Sequence, residues 1–570
     1  MTTFPPLPTT IAGVDGRHWE TYQPYYESLI AQPLAPDSSR TWLQNWSELT
    51  KLFHEISARI YIAKTQDTTD QDKQTAFLEL VDNVFPKATV AEQTLKERLL
   101  AQELADPDLG LILRAMRNEA ELFREENVPL QTELQKLENE YDNITGRLQA
   151  DWDGQQKNVS QLEALLEDKD RTVRERAWQV MCDLWLGSRA ELNELYAKMV
   201  ALRTQIAHNA GLPDYRAYAF REKNRFDYTP ADCLTFHEAI EQVVVPAARR
   251  VLARKQAQLG LELLRPWDVK AEAGDAPALK PYEKQDDLVR HGQAIFAQID
   301  AELSGYFNTM AAEELLDLDT RPGKALGGYC DYLPVSQRPF IFMNGVGTHG
   351  DVQTLFHEAG HAFHGFKSGP LPLVWHSDSP MEFNEVASMA MELLTAPYLT
   401  HDQGGFYTPA EAARARINHL EEWILFLPYM AVVDAFQHWV YTHPTEAQVA
   451  ANCDATWGSL WDRFMPVADW TGYEAARVTG WHRKLHIFQV PFYYIEYGMA
   501  QVGALQVWRN SLQDPAGALA AYKQALALGG TKPLPEIYAA AGIEFRFDVP
   551  MLTELTRLME QTIADLSAVA

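Results

Sequence analysis

The amino-acid sequence predicts a mainly α-helical fold carrying one small sheet. Through most of the first two hundred residues, apolar side chains recur at three- and four-residue spacing with few glycines, the pattern of long amphipathic helices. One segment, residues 327–344 (GGYCDYLPVSQRPFIFMN), breaks that rhythm, because two runs rich in Tyr, Phe and Ile flank a Pro-Val-Ser-Gln-Arg turn as in a β-hairpin. Helical patterns then resume to the last residue, and no fixed-period repeat of the solenoid kind runs through the chain.

Taken in order, Leu130, Leu134, Leu137, Tyr141, Ile144 and Leu148 are spaced four-three-four-three-four with Glu and Lys between them, which predicts one member of an antiparallel helix pair. The charged run at 167–176 (EDKDRTVRER) reads as a solvated helix face. Composition shifts at Gly211-Leu212-Pro213, and again at 272–281 (EAGDAPALKP), place a boundary near residue 200 between an N-terminal helical domain (1–200) and a second domain (201–570). The most apolar stretch, 423–433 (WILFLPYMAVV), is too short to cross a bilayer and is bounded by Glu421, Glu422 and Asp434, so it reads as a buried core helix.

Composition narrows the function. With 46% hydrophobic and 22% charged residues the chain is an ordinary globular protein. The 50 Lys and Arg against 78 Asp and Glu give a formal charge of −28, which repels phosphate backbones and anionic lipid, so neither nucleic acid nor membrane is expected as a partner. Four scattered cysteines, with no CxxC pair, suggest a reducing compartment. The opening MTTFPPLPTT has no cationic start followed by an apolar run, so a cytoplasmic location is expected.

The chemistry concentrates directly after the hairpin, in GTHGDVQTLFHEAGHAFHGF. Asp351 can cap a helix there, and Val352, Leu355, Phe356, Ala359 and Phe363 give it an apolar side, so a helix to about Phe366 is predicted. His357 and His361 stand four apart and project from one face, within reach of one tetrahedral metal, with Glu358 beside them. This HExxH pattern puts a carboxylate where a general base must be to take a proton from water activated by the metal. Glu and His in so apolar a helix need partners. A catalytic zinc needs a third protein ligand, and SPMEFNEVASMAMELL offers Glu382, Glu385 and Glu392. Glu385 and Glu392 share a helical face, and both Glu392 and Glu382 are placed to accept a hydrogen bond from a ligand imidazole. His364, two turns beyond His357, is too far for the same ion and reads as structural. His349 and His376, expected in loops near the motif, read as structural too.

The strings TLFHEAGHAFH and EFNEVAS resemble the signature of the thimet oligopeptidase and oligoendopeptidase F family of zinc metallopeptidases. The segments GGYC and PFIFMN, AFQHWVY (435–441) and LHIFQVPFYYIEYG add to the resemblance, which covers roughly residues 200 to 560. It implies one Zn2+ per chain held by His357, His361 and Glu385, with Glu358 as general base. It also implies two helical lobes around a deep channel that admits short unfolded peptides. Hydrolysis needs donors aimed at the developing oxyanion, for which His486, Tyr494 and Tyr497 are the candidates, with Tyr493 in reserve. The register between His486 and Tyr493 is open. Gly327, Gly328 and Tyr329, at the start of the hairpin, are expected to meet the substrate backbone, since an edge strand pairs with an extended peptide whatever its side chains.

The expected activity is therefore a zinc-dependent oligoendopeptidase. A metallocarboxypeptidase or dipeptidyl carboxypeptidase on a similar helical fold would use the same zinc and base, plus a clamp for the substrate carboxylate. A peptide-binding helical protein without turnover has less reason to keep Glu358. Oligomeric state has no signature in the sequence.

Overall fold

A computed structural model describes the chain except residues 1–3, 105, 272–278, 322, 326, 466–467 and 570. The Ala/Gly/Pro cluster expected to mark a composition shift at 272–281 falls mostly outside the described residues. The fold is mainly α, as the spacing predicts, with two small sheets.

Near the N-terminus, α1 (Ser39–Gln66) buries Trp42, Trp46, Leu49 and Leu52. They form a local core with Leu95, Leu99 and Leu109, into which Leu373 reaches from far along the chain. The heptad-like segment forms α2 (Asn127–Gly146), which packs on α3 (Arg189–Asn209). Its Tyr141 stacks on Phe488 at 4.3 Å and donates to the His482 carbonyl at 2.9 Å, joining this helix to the C-terminal half. The expected boundary near residue 200 falls inside α3, whose buried Leu192, Met199 and Ile206 belong to the main core. Along the chain Met116 still packs in the N-terminal core and Leu122 already in the main one, while Trp152, Trp178 and Met181 belong to a third cluster. The charged run at 167–176 is not wholly a solvated face: Arg174 is buried, and with Arg171 it holds the buried Asp268 at 3.0 and 2.8 Å.

A short hairpin, β1 (Gln149–Trp152) with β2 (Gln155–Asn158), was not expected from its polar composition. Its signal was the Asp153-Gly154 pair, both at positive φ (54° and 84°), a tight-turn dipeptide. The predicted hairpin is present as β4 (Tyr329–Leu333) antiparallel to β5 (Arg338–Gly345). A third strand, β3 (Leu316–Asp319), lies parallel on the other side of β5, leaving β4 at the edge. With four residues and one fully buried side chain, Leu318, β3 has too little alternation to be read from sequence.

The core of the second half is built on long helices. α4 (Pro230–Gln258) packs on a 34-residue helix that contains the apolar stretch 423–433 and tolerates Pro428 in its interior. No helix among the described residues is long and apolar enough to cross a membrane.

Candidate active site

The motif helix, α5 (His349–Ser368), starts two residues before Asp351, so Asp351 is not its cap. Thr348 takes that position. Asp351 sits three residues in, where its Oδ2 accepts the N–H groups of Val346, Gly347 and Thr348 at 2.7–2.9 Å and the Tyr282 hydroxyl at 2.8 Å. These bonds fix the passage from β5 into α5. His349 is thereby the first helical residue, not a loop residue, and its Nδ1 lies 2.7 Å from the Tyr407 hydroxyl. His376 likewise sits in a short helical turn (Val374–Ser377), 3.1 Å from the Asp108 carbonyl. His364 is buried 3.1 Å from the Ser379 hydroxyl.

Against α5 lies α6 (Met381–Thr395), and the crossing point is Gly360. A Cβ there would come within 2.6 Å of the Ala387 carbonyl oxygen and of Ser388 Cα. Only glycine allows this approach. Its result is that Glu385 Oε2 stands 3.3 Å from His357 Nε2 and 3.6 Å from His361 Nε2, with the two imidazole centroids 4.9 Å apart. One ligand atom from each of the three residues lies within 4.8 Å of the others. Two imidazole nitrogens and a carboxylate form a donor set of the kind that holds catalytic zinc.

Two acidic residues of α6 were expected behind the ligands, and the structure separates them. Glu392 Oε1 lies 2.7 Å from His357 Nδ1. Its other oxygen lies 2.7 Å from Nε2 of His419, a residue with no sequence signal, on α7 (Pro409–Thr442). Glu382 does not reach a ligand imidazole: it accepts from the Tyr228 hydroxyl at 2.6 Å and lies 3.9 Å from Arg225 Nε. Glu382 stands at the start of the helix, ten residues before Glu392, and there the buried Tyr228 and Arg225 occupy it.

Glu358 is buried next to His357 in the chain, and burial pushes its carboxyl up from the usual range, against the pull of His361 and His357. Its Oε2 has no hydrogen-bond partner among the described residues. Gly328, the residue before β4, passes close by, since a Cβ on it would lie 3.5 Å from Glu358 Oε1. Gly327 turns the chain at φ 98° and gives its carbonyl to Asn344. The Tyr329 side chain is taken up elsewhere: it stacks on Phe342 at 4.8 Å, and its hydroxyl meets Thr65 Oγ1 of α1 at 2.7 Å.

The C-terminal aromatic string splits as well. α8 (Leu485–Gln489) carries His486, and α9 (Tyr494–Ser511) follows a sharp turn at Phe492, which has φ 63°. Gln437 Oε1 accepts the Phe492 N–H at 2.6 Å, and Arg225 donates to the Phe492 carbonyl while pairing with Glu496 at 2.7 Å. That turn presents Tyr493, whose hydroxyl donates to Glu385 Oε1 at 3.2 Å. Tyr497 packs beside it at 5.1 Å. Tyr494 instead packs among Phe426, Tyr429 and His486 with the Lys484 ammonium over its ring. His486 reaches the same cluster, with ring centroids 5.0–6.0 Å from Tyr493, Tyr494 and Tyr497. Burial, aided by Lys484, pushes its imidazole down to about 4, so it is neutral at neutral pH.

The family model of peptidase family M3 matches residues 164–557, well over half of the 570 residues. The chain belongs to peptidase family M3. An oligoendopeptidase F homolog of Mycoplasma pneumoniae is 24% identical over 412 residues, which are 68% of this chain and 64% of that protein. This chain thus spans just under two thirds of the length of that curated relative. Solved structures match more completely. One described as an oligoendopeptidase F is 26% identical, with a TM-score of 0.89 over 96% of this chain and 98% of the other. PZ peptidase A, solved with an inhibitor, is 25% identical, with a TM-score of 0.88 over 97% and 98%. The N-terminal helices lie outside the family model, yet these two structural matches extend over 97% and 96% of the chain.

Proposed function

We propose that the chain is a zinc-dependent oligoendopeptidase that hydrolyses internal bonds of short unfolded peptides. The observation that carries this reading is the convergence of His357, His361 and Glu385, with Glu358 buried beside them. That donor set fits one zinc ion, whose Lewis acidity would polarise a scissile carbonyl and lower the pKa of water. Glu358, raised by burial, is suited to take a proton from the attacking water and pass it to the leaving amine. Glu392 orients His357 so that Nε2 faces the ligand set. His486, neutral, and the hydroxyls of Tyr493 and Tyr497 are the donors available to a developing oxyanion. The β4 edge beside Glu358 offers backbone groups to an extended peptide, which favours broad sequence tolerance. A channel between two helical lobes, excluding folded proteins, and a cytoplasmic location consistent with four free cysteines complete the reading.

A second reading, a carboxypeptidase or dipeptidyl carboxypeptidase, draws support from Lys223, whose ammonium lies 5.5 Å above the Tyr493 ring, where it could clamp a substrate carboxylate. An internally quenched peptide blocked at both ends separates the two. Cleavage that is lost on chelation and restored by zinc supports the endopeptidase. Cleavage only of peptides with a free C-terminus supports the second reading, and cleavage that survives complete metal removal contradicts both.

A further inference from the structure

Away from this centre, two core helices carry another set of metal-ligating side chains. Cys233 and His237 stand four apart on α4, and Asp434 and His438 stand four apart on α7, so each pair projects from one helix face. Cys233 and Asp434 are fully buried, and His237 and His438 nearly so at 2% and 4% exposure. Ligand atoms of Cys233, Asp434 and His438 lie within 4.8 Å of one another. His237 Nε2 lies 2.9 Å from Asp434 Oδ2, and His438 Nε2 lies 3.2 Å from the same oxygen.

Ordinary core hydrogen bonding accounts for only half of this cluster. One imidazole N–H on a buried carboxylate explains His237 and Asp434 Oδ2. It leaves Asp434 Oδ1 and both ring nitrogens of His438 without a hydrogen-bond partner among the described residues, although His438 Nε2 is close to the carboxylate. Buried polar atoms are rarely left so. Arg225, a cation close to Cys233, is held by Glu496 at 2.7 Å and has Glu382 at 3.9 Å, so its charge is balanced outside the cluster. A divalent ion would use the orphaned lone pairs, and with one carboxylate, one thiolate and one neutral imidazole it would leave this buried region without net charge.

We propose that Cys233, Asp434 and His438 form a second, structural metal site for an ion of the zinc type, with His237 holding Asp434 Oδ2 from outside the donor set. Sulfur, nitrogen and oxygen donors on two rigid helices match what such an ion takes in closed sites. The location gives the site a task. His438 packs on Phe492 at 5.2 Å, and its neighbour Gln437 holds the Phe492 N–H, so an ion here would brace the turn that presents Tyr493.

The test is to load the full chain with Co2+, measure the metal-to-protein ratio, and record the near-ultraviolet spectrum. The candidate ligands on α5 and α6 offer only nitrogen and oxygen, so a thiolate-to-cobalt charge-transfer band that depends on Cys233 reports on the second site. The expected result is two ions per chain with that band. Cys233→Ser should lose the band and one ion, whereas His361→Ala should keep the band while losing the other ion, which separates this proposal from the catalytic reading. One ion per chain without the band, or two ions without it, in the unmutated protein overturns the proposal, and neither result depends on a variant that folds.

Discussion

Oε1 of Glu392 lies 2.7 Å from Nδ1 of His357, and the other oxygen of the same carboxylate lies 2.7 Å from His419. The pair fixes the His357 ring so that its Nε2 faces Glu385 and His361. Removing the carboxylate should therefore weaken metal binding without touching a ligand. Glu392→Gln is expected to lower zinc affinity by about 10–100-fold, read by competition with a chromogenic chelator, while the helix content of the protein is unchanged.

The Gly360 crossing sets how close Glu385 can come to the histidines. Gly360→Ala would push a methyl group into backbone, not a movable side chain, at 2.6 Å. We expect a loss of about 1–3 kcal/mol in stability, seen as a lower thermal midpoint, together with reduced zinc retention on dialysis.

The local part of this site is legible in the sequence, and the tertiary part is not. His357, Glu358 and His361 are fixed by helix geometry over one turn, and Glu385 stands out as an acid in an apolar helix. Glu382 and Glu392 are both candidates there for a hydrogen bond from a ligand imidazole. What separates them is Arg225 and Tyr228 at one end and His419 at the other, all from remote segments. The tyrosines illustrate a different limit. A left-handed turn at Phe492, held by Gln437 and Arg225, brings Tyr493 to Glu385 and leaves Tyr494 in an aromatic cluster, and nothing in VPFYYIEYG announces that φ. The hairpin was readable from its turn and aromatic runs, but β3, with four residues, was not.

That turn makes the tyrosines separable by experiment. Tyr493→Phe should lower kcat by about 10²–10³-fold if its hydroxyl serves the oxyanion, with KM changed far less. Tyr494→Phe should stay within severalfold of the unmutated protein. Steady-state kinetics on the blocked peptide checks both.

Burial holds His349, His364 and His482 down to about 3, and His486 to about 4. Their unfolded counterparts titrate near 6.5, so between about pH 6.5 and pH 4 the unfolded chain binds more protons than the folded one, and stability falls as pH is lowered through that window. The slope is up to about 1.4 kcal/mol per pH unit for each such group. Urea midpoints should drop from neutral pH to about pH 5. His364→Gln, which can still meet Ser379, should drop less steeply.

The most direct test of the catalytic account is the rate of cleavage of a doubly blocked, internally quenched peptide by the unmutated protein and by Glu358→Gln at equal zinc content. The account predicts internal cleavage by the first and a fall of about 10²–10⁴-fold in the second. Equal rates in the two proteins would contradict the assignment of Glu358 as the base.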